Sequence, residues 1–338
     1  MTSQSNGMPH ALPVSTQAAE RVKVLYIGGY SRSGSTFFQR MLATQPGAVA
    51  IGEVCNFWQR TVLLNELCGC GARFSSCEFW RAVIEDVFGD LASVPADWLH
   101  RLRYAVQGNP NFPRLVVPWL RNRRYTEKLH RYSHVLERIY LAIQKVSGAS
   151  LIIDASKVAP YAFLLSEMSL IDLHVVHLVR DSRATAFSWQ RRKQSPEMYV
   201  QETGNYVRET GYMERYGLIK SSIEWVVFNL ALEMIRLRGI KYVRIRYEDM
   251  LRAPAETLHA VSGMLGLSLD SIVATVQHGK IQLGTHHTAA GNTNRFEQGT
   301  IAVQVDTEWE SSMAPASKYL VTTLTAPLLL RYGYLNPA

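Results

Sequence analysis

The feature that most restricts what this chain can fold into is a short apolar run, Val22 to Gly28, that breaks into Gly29-Tyr30-Ser31-Arg32-Ser33-Gly34-Ser35-Thr36. It resumes at helical spacing with Phe37, Phe38, Met41 and Leu42. A buried strand, a glycine loop and a helix in direct succession make an anion cradle: the loop turns successive backbone N–H groups toward one point, and the helix start adds a positive dipole end. Gly29, Gly34 and Thr36 stand at the spacing of a Walker phosphate loop, but Ser35 occupies the position of its lysine. The group that normally reaches the outer phosphates of a nucleoside triphosphate is therefore missing, which disfavours a kinase or an ATPase. Arg32 supplies a cation three residues earlier, and its forked guanidinium can hold the terminal anionic group of a different ligand.

Further apolar runs follow at Ala48–Ile51, Leu151–Asp154, His174–Val179 and Lys241–Tyr247, most of them trailed by a segment with helical periodicity. Such alternation predicts an α/β fold, a central parallel sheet flanked by helices and similar to that of P-loop NTPases. Ligands of open sheets of this kind bind beyond the carboxyl ends of the strands. Two long insertions, about 60–148 and 190–222, are expected to form a helical cap on one domain spanning 21–338. In the first, Leu129, Tyr132, Leu136, Ile139, Ile143 and Val146 keep three-four spacing up to a stop at Gly148. That stripe is expected to pack on the chain's own sheet, with a homodimer as the alternative use. Residues 1–20, polar and without an apolar stretch, are expected to be a disordered leader rather than a secretory signal. With no run long enough to span a bilayer, a cytoplasmic location is expected.

The strand His174–Val179 ends in Arg180-Asp181-Ser182, and a helix from Ser182 turns Ser188 back toward the strand tip after two turns. A guanidinium and a hydroxyl so placed can pinch a second phosphate. Two separate anion sites, with no Walker-type carboxylate pair for magnesium, describe a ligand with two phosphate-like ends. Both loops together resemble those of sulfotransferases that use 3′-phosphoadenosine-5′-phosphosulfate (PAPS). The resemblance runs over most of 22–335 and includes Gly52-Glu53, Asp154-Ala155-Ser156-Lys157, Arg246-Tyr247-Glu248-Asp249 and Gly291-Asn292-Thr293-Asn294-Arg295-Phe296. It implies that Arg32, Ser33, Gly34, Ser35 and Thr36 hold the 5′-phosphosulfate, that Arg180 and Ser188 hold the 3′-phosphate, and that Arg295 touches the same phosphate. The implied reaction is metal-independent in-line transfer of a sulfuryl group to a hydroxyl of a small molecule, lipid or biosynthetic intermediate.

Such a transfer needs a base and fixed cations. Glu53, at the tip of the second strand, is the candidate base, its pKa expected to be raised by burial. Lys157 is the candidate to stabilise the leaving oxygen, alongside Arg32. His286 and His287 are alternative bases, whereas His174 and His177 lie within a strand and are expected to be packed. Tyr247 and Trp225 are expected to be core. The aromatics Trp98, Tyr104, Phe112, Trp119, Tyr125, Tyr199 and Tyr206 of the insertions suit an acceptor site. A net charge of +8 favours an anionic ligand, but the basic clusters are too short for a nucleic-acid tail, and no nucleic-acid partner is expected. The competing readings are a nucleotide kinase with a degenerate loop and a non-catalytic nucleotide- or nucleic-acid-binding protein. Cys55, Cys68, Cys70 and Cys77 crowd one stretch. Cys68-Gly69-Cys70 is tighter than the usual zinc knuckle and no histidine is near in sequence, so a structural turn without metal is expected.

Overall fold

The computed structural model describes residues 21–192, 194–202, 205–212, 214–276 and 279–335, so the expected leader lies outside the described residues. Five parallel strands form the central sheet: β1 (Val22–Gly28), β2 (Ala48–Gly52), β3 (Leu151–Lys157), β4 (Ile171–Val179) and, at one edge, Lys241–Arg246. Their order is β2, β3, β1, β4 and then Lys241–Arg246. β1 shows why both faces must be covered. Val22, Val24 and Tyr26 belong to one buried cluster and Leu25 and Ile27 to another, alternating with the period of the pleat. A sheet buried on both sides reads as the near-continuous apolar run seen in the sequence.

On the first face lie α2 (Glu78–Phe88), α3 (Ala96–Gln107), α5 (Arg123–Ser147) and α6 (Ala159–Leu165); on the second lies α1 (Ser35–Leu42) with the helix Pro254–Leu265. The short α4 (Phe112–Val116) precedes α5. Asn122 caps α5 by accepting a hydrogen bond from the Tyr125 N–H at 2.9 Å, and Gly148 ends it in a left-handed conformation. Leu129, Tyr132, Leu136, Ile139 and Ile143 are all buried in the intramolecular core, so the stripe packs on its own sheet. Each such side chain contributes about 1.5 to 3 kcal/mol of burial.

The insertion at 190–222 departs from expectation. After α7 (Ser182–Gln190) the chain forms an antiparallel hairpin, β5 (Gln194–Glu202) with β6 (Asn205–Tyr212), before α8 (Leu218–Glu233). Two runs rich in Tyr and Val flanking Thr203-Gly204 are a hairpin signal, which outweighs any helical spacing there. With this hairpin counted, the edge strand Lys241–Arg246 is β7. A second hairpin, β8 (Lys280–Leu283) with β9 (Gly299–Ala302), was not legible in the sequence. The loop between β8 and β9 reaches back to β2: the Ala289 N–H donates to Ile51 O and the Glu53 N–H to Ala289 O, each at 2.8 Å. The approach requires Gly52, whose φ is +85° and where a Cβ would stand 2.2 Å from Ala289 O. No helix among the described residues is long and apolar enough to cross a membrane.

Candidate functional site

Every strand of the central sheet delivers a residue to one cleft of about 430 Å³. The β1 turn contributes Ser31, Arg32, Gly34, Ser35 and Thr36; β2 ends at Glu53, β3 at Lys157, β4 at Arg180 and β7 at Tyr247. This is the carboxyl-end crevice that a parallel sheet predicts. Gly34 precedes α1 with φ +87°, which lets the loop close onto the helix start. Arg32 and Lys157 both adopt left-handed backbone, φ 72° and 70°. For residues with a Cβ this costs of the order of 1 to 3 kcal/mol each, and such strain gathers at sites where a side chain must be aimed. At Lys157 the aiming device is visible. From Tyr26 opposite Asp154 to Gly28 opposite Lys157, β3 advances one residue more than β1, a bulge that turns the strand end.

Lys157 Nζ forms an ion pair with Glu53 Oε1, and Asn56 donates to Glu53 Oε2 at 3.2 Å. Burial alone raises the pKa of Glu53, but the charges of Lys157 and Arg60, the hydrogen bond from Lys157 and the charge of Arg295 outweigh it, and the net direction is down. The expected upward shift is therefore corrected: Glu53 is a partly buried carboxylate whose charged form is favoured by the cations around it. Arg60 is itself anchored by a two-point pair with the buried Glu66, at 2.8 Å on each oxygen. Behind Lys157, Asp154 is wholly buried; desolvation raises its pKa to about 6, although it accepts hydrogen bonds from Ser156 and Tyr140.

Arg180 and Ser188 line the same cleft. The Arg180 guanidinium lies over the Tyr247 ring at 4.5 Å and donates to Asp306 Oδ2 at 3.1 Å and to Arg32 O at 3.2 Å. Its Nε is buried without a hydrogen-bond partner. Arg32 stacks on Trp189 with 4.7 Å to the ring centroid, and burial lowers its pKa from the ordinary arginine value. The cleft thus carries Arg32, Arg60, Lys157 and Arg180 against Glu53, Glu297 and Asp306. The N-terminus of α1 adds a positive dipole end to these charges, and Glu53 and Asp306 are each paired with one of the cations.

Other expectations fare differently. Ser33 is buried but does not line the cleft. Arg295 does not line it either: its guanidinium donates to Gly291 O at 2.6 Å and Leu67 O at 3.3 Å and lies 3.8 Å from Glu66. It braces the wall of the cleft from behind. His286 bonds Arg295 O through Nε2 at 2.7 Å and Thr288 Oγ1 through Nδ1 at 3.0 Å, and burial lowers its pKa to about 4. His287 turns its Nδ1 to Cys77 Sγ at 3.3 Å. Neither histidine lines the cleft. The cysteine segment does not stand alone: His287, remote in sequence, supplies the histidine that local reading could not find. None of the aromatics Trp98, Tyr104, Phe112, Trp119 and Tyr125 lines the cleft, and the side chains of Tyr199 and Tyr206 lie outside the described residues. His177 is packed as expected, bonded to Tyr242 and Asn229, and Trp225 is core. Tyr247 is a cleft residue instead. Sequence reasoning also missed Arg60, Trp189 and Asp306, which belong to no motif, and gave no role to Asn292 and Asn294 within the Gly291–Phe296 motif.

Comparison with known proteins follows this geometry. The model of a family described as "Sulfotransferase family" matches residues 25–271. Among solved structures, the chain is similar to the sulfotransferase domain of the olefin synthase from Synechococcus PCC 7002, at 17% identity and a TM-score of 0.51, covering 95% of this chain and 98% of that one. The sulfotransferase domain from the curacin biosynthetic pathway follows at 14% identity and a TM-score of 0.47, with 94% and 100% covered. A sulfotransferase from Mycobacterium avium gives 12% and 0.42, with 93% and 77% covered. At these identities the likeness to the first of them speaks for the fold. No curated protein matches the chain significantly.

Proposed function

We propose, from the premise that the chain belongs to the sulfotransferase family, that its cleft transfers the sulfuryl group of PAPS to an acceptor hydroxyl on a small molecule or lipid. The observation that carries the reading is the meeting of two anion-binding devices in one cleft: the glycine loop with Arg32 at the start of α1, and Arg180 with Ser188 at the end of β4. A ligand with a phosphosulfate at one end and a 3′-phosphate at the other satisfies both. In this reading the backbone N–H groups of 32–36, with Ser35 and Thr36, hold the phosphosulfate, and Arg32 neutralises the sulfonate oxygens.

Transfer forms a bond from the acceptor oxygen to sulfur and breaks the bond from sulfur to the bridging phosphate oxygen, whose electron pair stays with the departing bisphosphate. Lys157 and the α1 terminus stabilise that charge, and Glu53 takes the acceptor's proton. The ion pair links these two roles. While Lys157 is held by Glu53, the base is masked by its partner; an anion that draws Lys157 away frees the carboxylate and lifts its pKa toward that of a desolvated acid. Donor binding would thereby prepare the base.

The test is isothermal titration with 3′,5′-adenosine bisphosphate, without added divalent cation, beside ATP with magnesium. Binding of the bisphosphate with little response to ATP is expected, followed by sulfate transfer from PAPS to a panel of hydroxylated acceptors. Preference for magnesium and ATP would overturn the reading in favour of a nucleotide kinase.

A further inference from the structure

Apart from the cleft, three thiols and one imidazole converge on a single point. Cys68 and Cys70 come from the loop before α2, Cys77 from the residue that caps α2, and His287 from the loop between β8 and β9, 210 residues beyond Cys77. Their ligand atoms all lie within 4.8 Å of one another. Cys68 Sγ is 3.6 Å and Cys70 Sγ 3.8 Å from Cys77 Sγ; His287 Nδ1 is 3.3 Å from Cys77 Sγ and 3.8 Å from Cys68 Sγ. All four cysteines of the chain are free thiols, and these separations are far beyond the roughly 2.05 Å of a disulfide.

A tetrahedron around one zinc ion, with Zn–S near 2.3 Å and Zn–N near 2.0 to 2.1 Å, has S···S edges of about 3.8 Å and S···N edges of about 3.5 Å. Four of the observed edges scatter around those lengths, and the other two do not exceed 4.8 Å. We propose that Cys68, Cys70, Cys77 and His287 bind one zinc ion as a closed, structural Cys3His site. Thiolates and imidazole are the donor set that selects zinc over magnesium or calcium, and four protein ligands leave no open position for catalysis.

The surroundings are built to orient these ligands. The Trp80 indole donates to His287 O at 2.7 Å, and the Phe79 ring stacks on the His287 imidazole with centroids 5.0 Å apart. The Gly69 N–H donates to Thr288 O at 3.0 Å, and the cysteine loop is closed by Cys68 N–H to Ala72 O and Gly71 N–H to Cys68 O, each at 2.8 Å. The tight Cys-Gly-Cys spacing has a reason here: a Cβ on Gly69 would stand 2.3 Å from the His286 ring, so the loop can reach His287 only with glycine between its cysteines. Cys77 sits at the N-terminus of the eleven-residue α2, where a thiolate is favoured by the helix dipole.

The ion would join two segments that no strand ladder connects. Two residues past His287, Ala289 pairs with Gly52 at the end of β2 and accepts from the Glu53 N–H, and at Gly291 a Cβ would stand 3.2 Å from Glu53 Oε1, so the zinc site would fix the wall beside the proposed base. Ligand deprotonation makes zinc binding release protons and couples it to folding of this corner.

Elemental analysis of the reduced wild-type chain, purified without chelator, is expected to give about one zinc per chain. After removal of zinc under reducing conditions, cobalt(II) is expected to restore a tetrahedral thiolate spectrum, with intense visible bands and a near-ultraviolet charge-transfer band. His287→Ala and Cys77→Ser should lose most of the metal, whereas His287→Cys should retain it. Should a variant fail to fold, the cobalt titration of the wild-type chain decides alone. No zinc together with no cobalt spectrum, or a disulfide among the three cysteines in the non-reduced wild type, would overturn the proposal. None of these readouts depends on sulfuryl transfer, so failure here leaves the reading of the cleft standing, and failure of that reading leaves this site standing.

Discussion

The cleft has two sides built by different means. The strand-end side, from the glycine loop through Glu53, Lys157 and Arg180, grows out of a five-stranded parallel sheet whose ladders fix the position of each tip. Among the described residues the opposite wall, residues 284–306, has one short strand, β9, and one helical turn, Thr293–Phe296, and otherwise depends on isolated long-range ties. Arg40 donates to Asn294 O and Glu297 O, Arg295 to Gly291 O, Trp80 to His287 O, and Arg180 to Asp306. One side is placed by strand ladders that the apolar pattern announces; the other is placed by a few isolated backbone bonds and by side chains that reach across to loop carbonyls and to Asp306. Function placed on the first side should be lost by removing chemistry, and function dependent on the second by removing support.

Glu53 tests that division most severely, because it ends a strand and is also touched by the wall. Glu53→Gln keeps the size and most hydrogen-bonding capacity of the side chain but cannot accept a proton. Turnover should fall about 100-fold or more while bisphosphate affinity stays close to wild type. The pH dependence sharpens the point. With its pKa held below the ordinary carboxylate value by Lys157, Arg60 and Arg295, Glu53 contributes stability above the unfolded pKa that is lost as pH falls through the lowered one. Melting temperatures of wild type and Glu53→Gln should therefore converge on acidification. Unchanged turnover in the variant would remove Glu53 as the base; with His286 locked in two hydrogen bonds and His287 facing thiols, the base would then have to be sought in the acceptor itself.

The same division explains what the sequence disclosed. The five strands of the central sheet, the loop at Gly29–Thr36, the common cleft of Arg180 and Ser188 and the stripe of α5 were legible, since each is a local pattern with a period or a fixed spacing. Arg60 was not, because it lies in a helical turn of an insertion and gains its place from Glu66. Tyr247 reads as one more aromatic at a strand end until Arg180 is seen stacked on it. His287 and the cysteines are a similar case: four ligands separated by up to 219 residues form a pattern only after the chain is folded. Arg295 misled in the other direction. Its motif pointed to the nucleotide, but its guanidinium is occupied by Gly291, Leu67 and Glu66.

Arg180 and Arg295 are therefore the pair with which to break the comparison. Arg180→Ala should weaken the bisphosphate by about 1.5 to 3 kcal/mol, roughly 10- to 150-fold, with little change in melting temperature, because a charge-assisted contact to the ligand is removed. Arg295→Ala should do the reverse: the melting temperature should drop by several degrees as buried Glu66 loses a partner and Gly291 O a donor, while folded molecules bind the bisphosphate within a few-fold of wild type. Titration calorimetry and thermal melts on both variants decide it. If Arg295→Ala lost affinity as steeply as Arg180→Ala with an unchanged melt, the guanidinium would have to leave its carbonyls for the nucleotide, and the wall would be a binding element rather than a support.

The smallest effect belongs to the contact that crosses the cleft. Asp306, 40% exposed, accepts from Arg180 Nη2 at 3.1 Å and so holds a negative charge beside the site proposed for the 3′-phosphate. Partly exposed pairs of this kind contribute about 0.2 to 1 kcal/mol, so Asp306→Asn should barely move the melting temperature. An arriving phosphate, however, must share Arg180 with that carboxylate and is repelled by it. Neutralising Asp306 should raise bisphosphate affinity by about 2- to 5-fold at low salt, and the gain should shrink as ionic strength rises. Weaker binding in Asp306→Asn would carry the opposite meaning: the wall's carboxylate would be aiming Arg180 at the ligand, and the two sides of the cleft would act as one device.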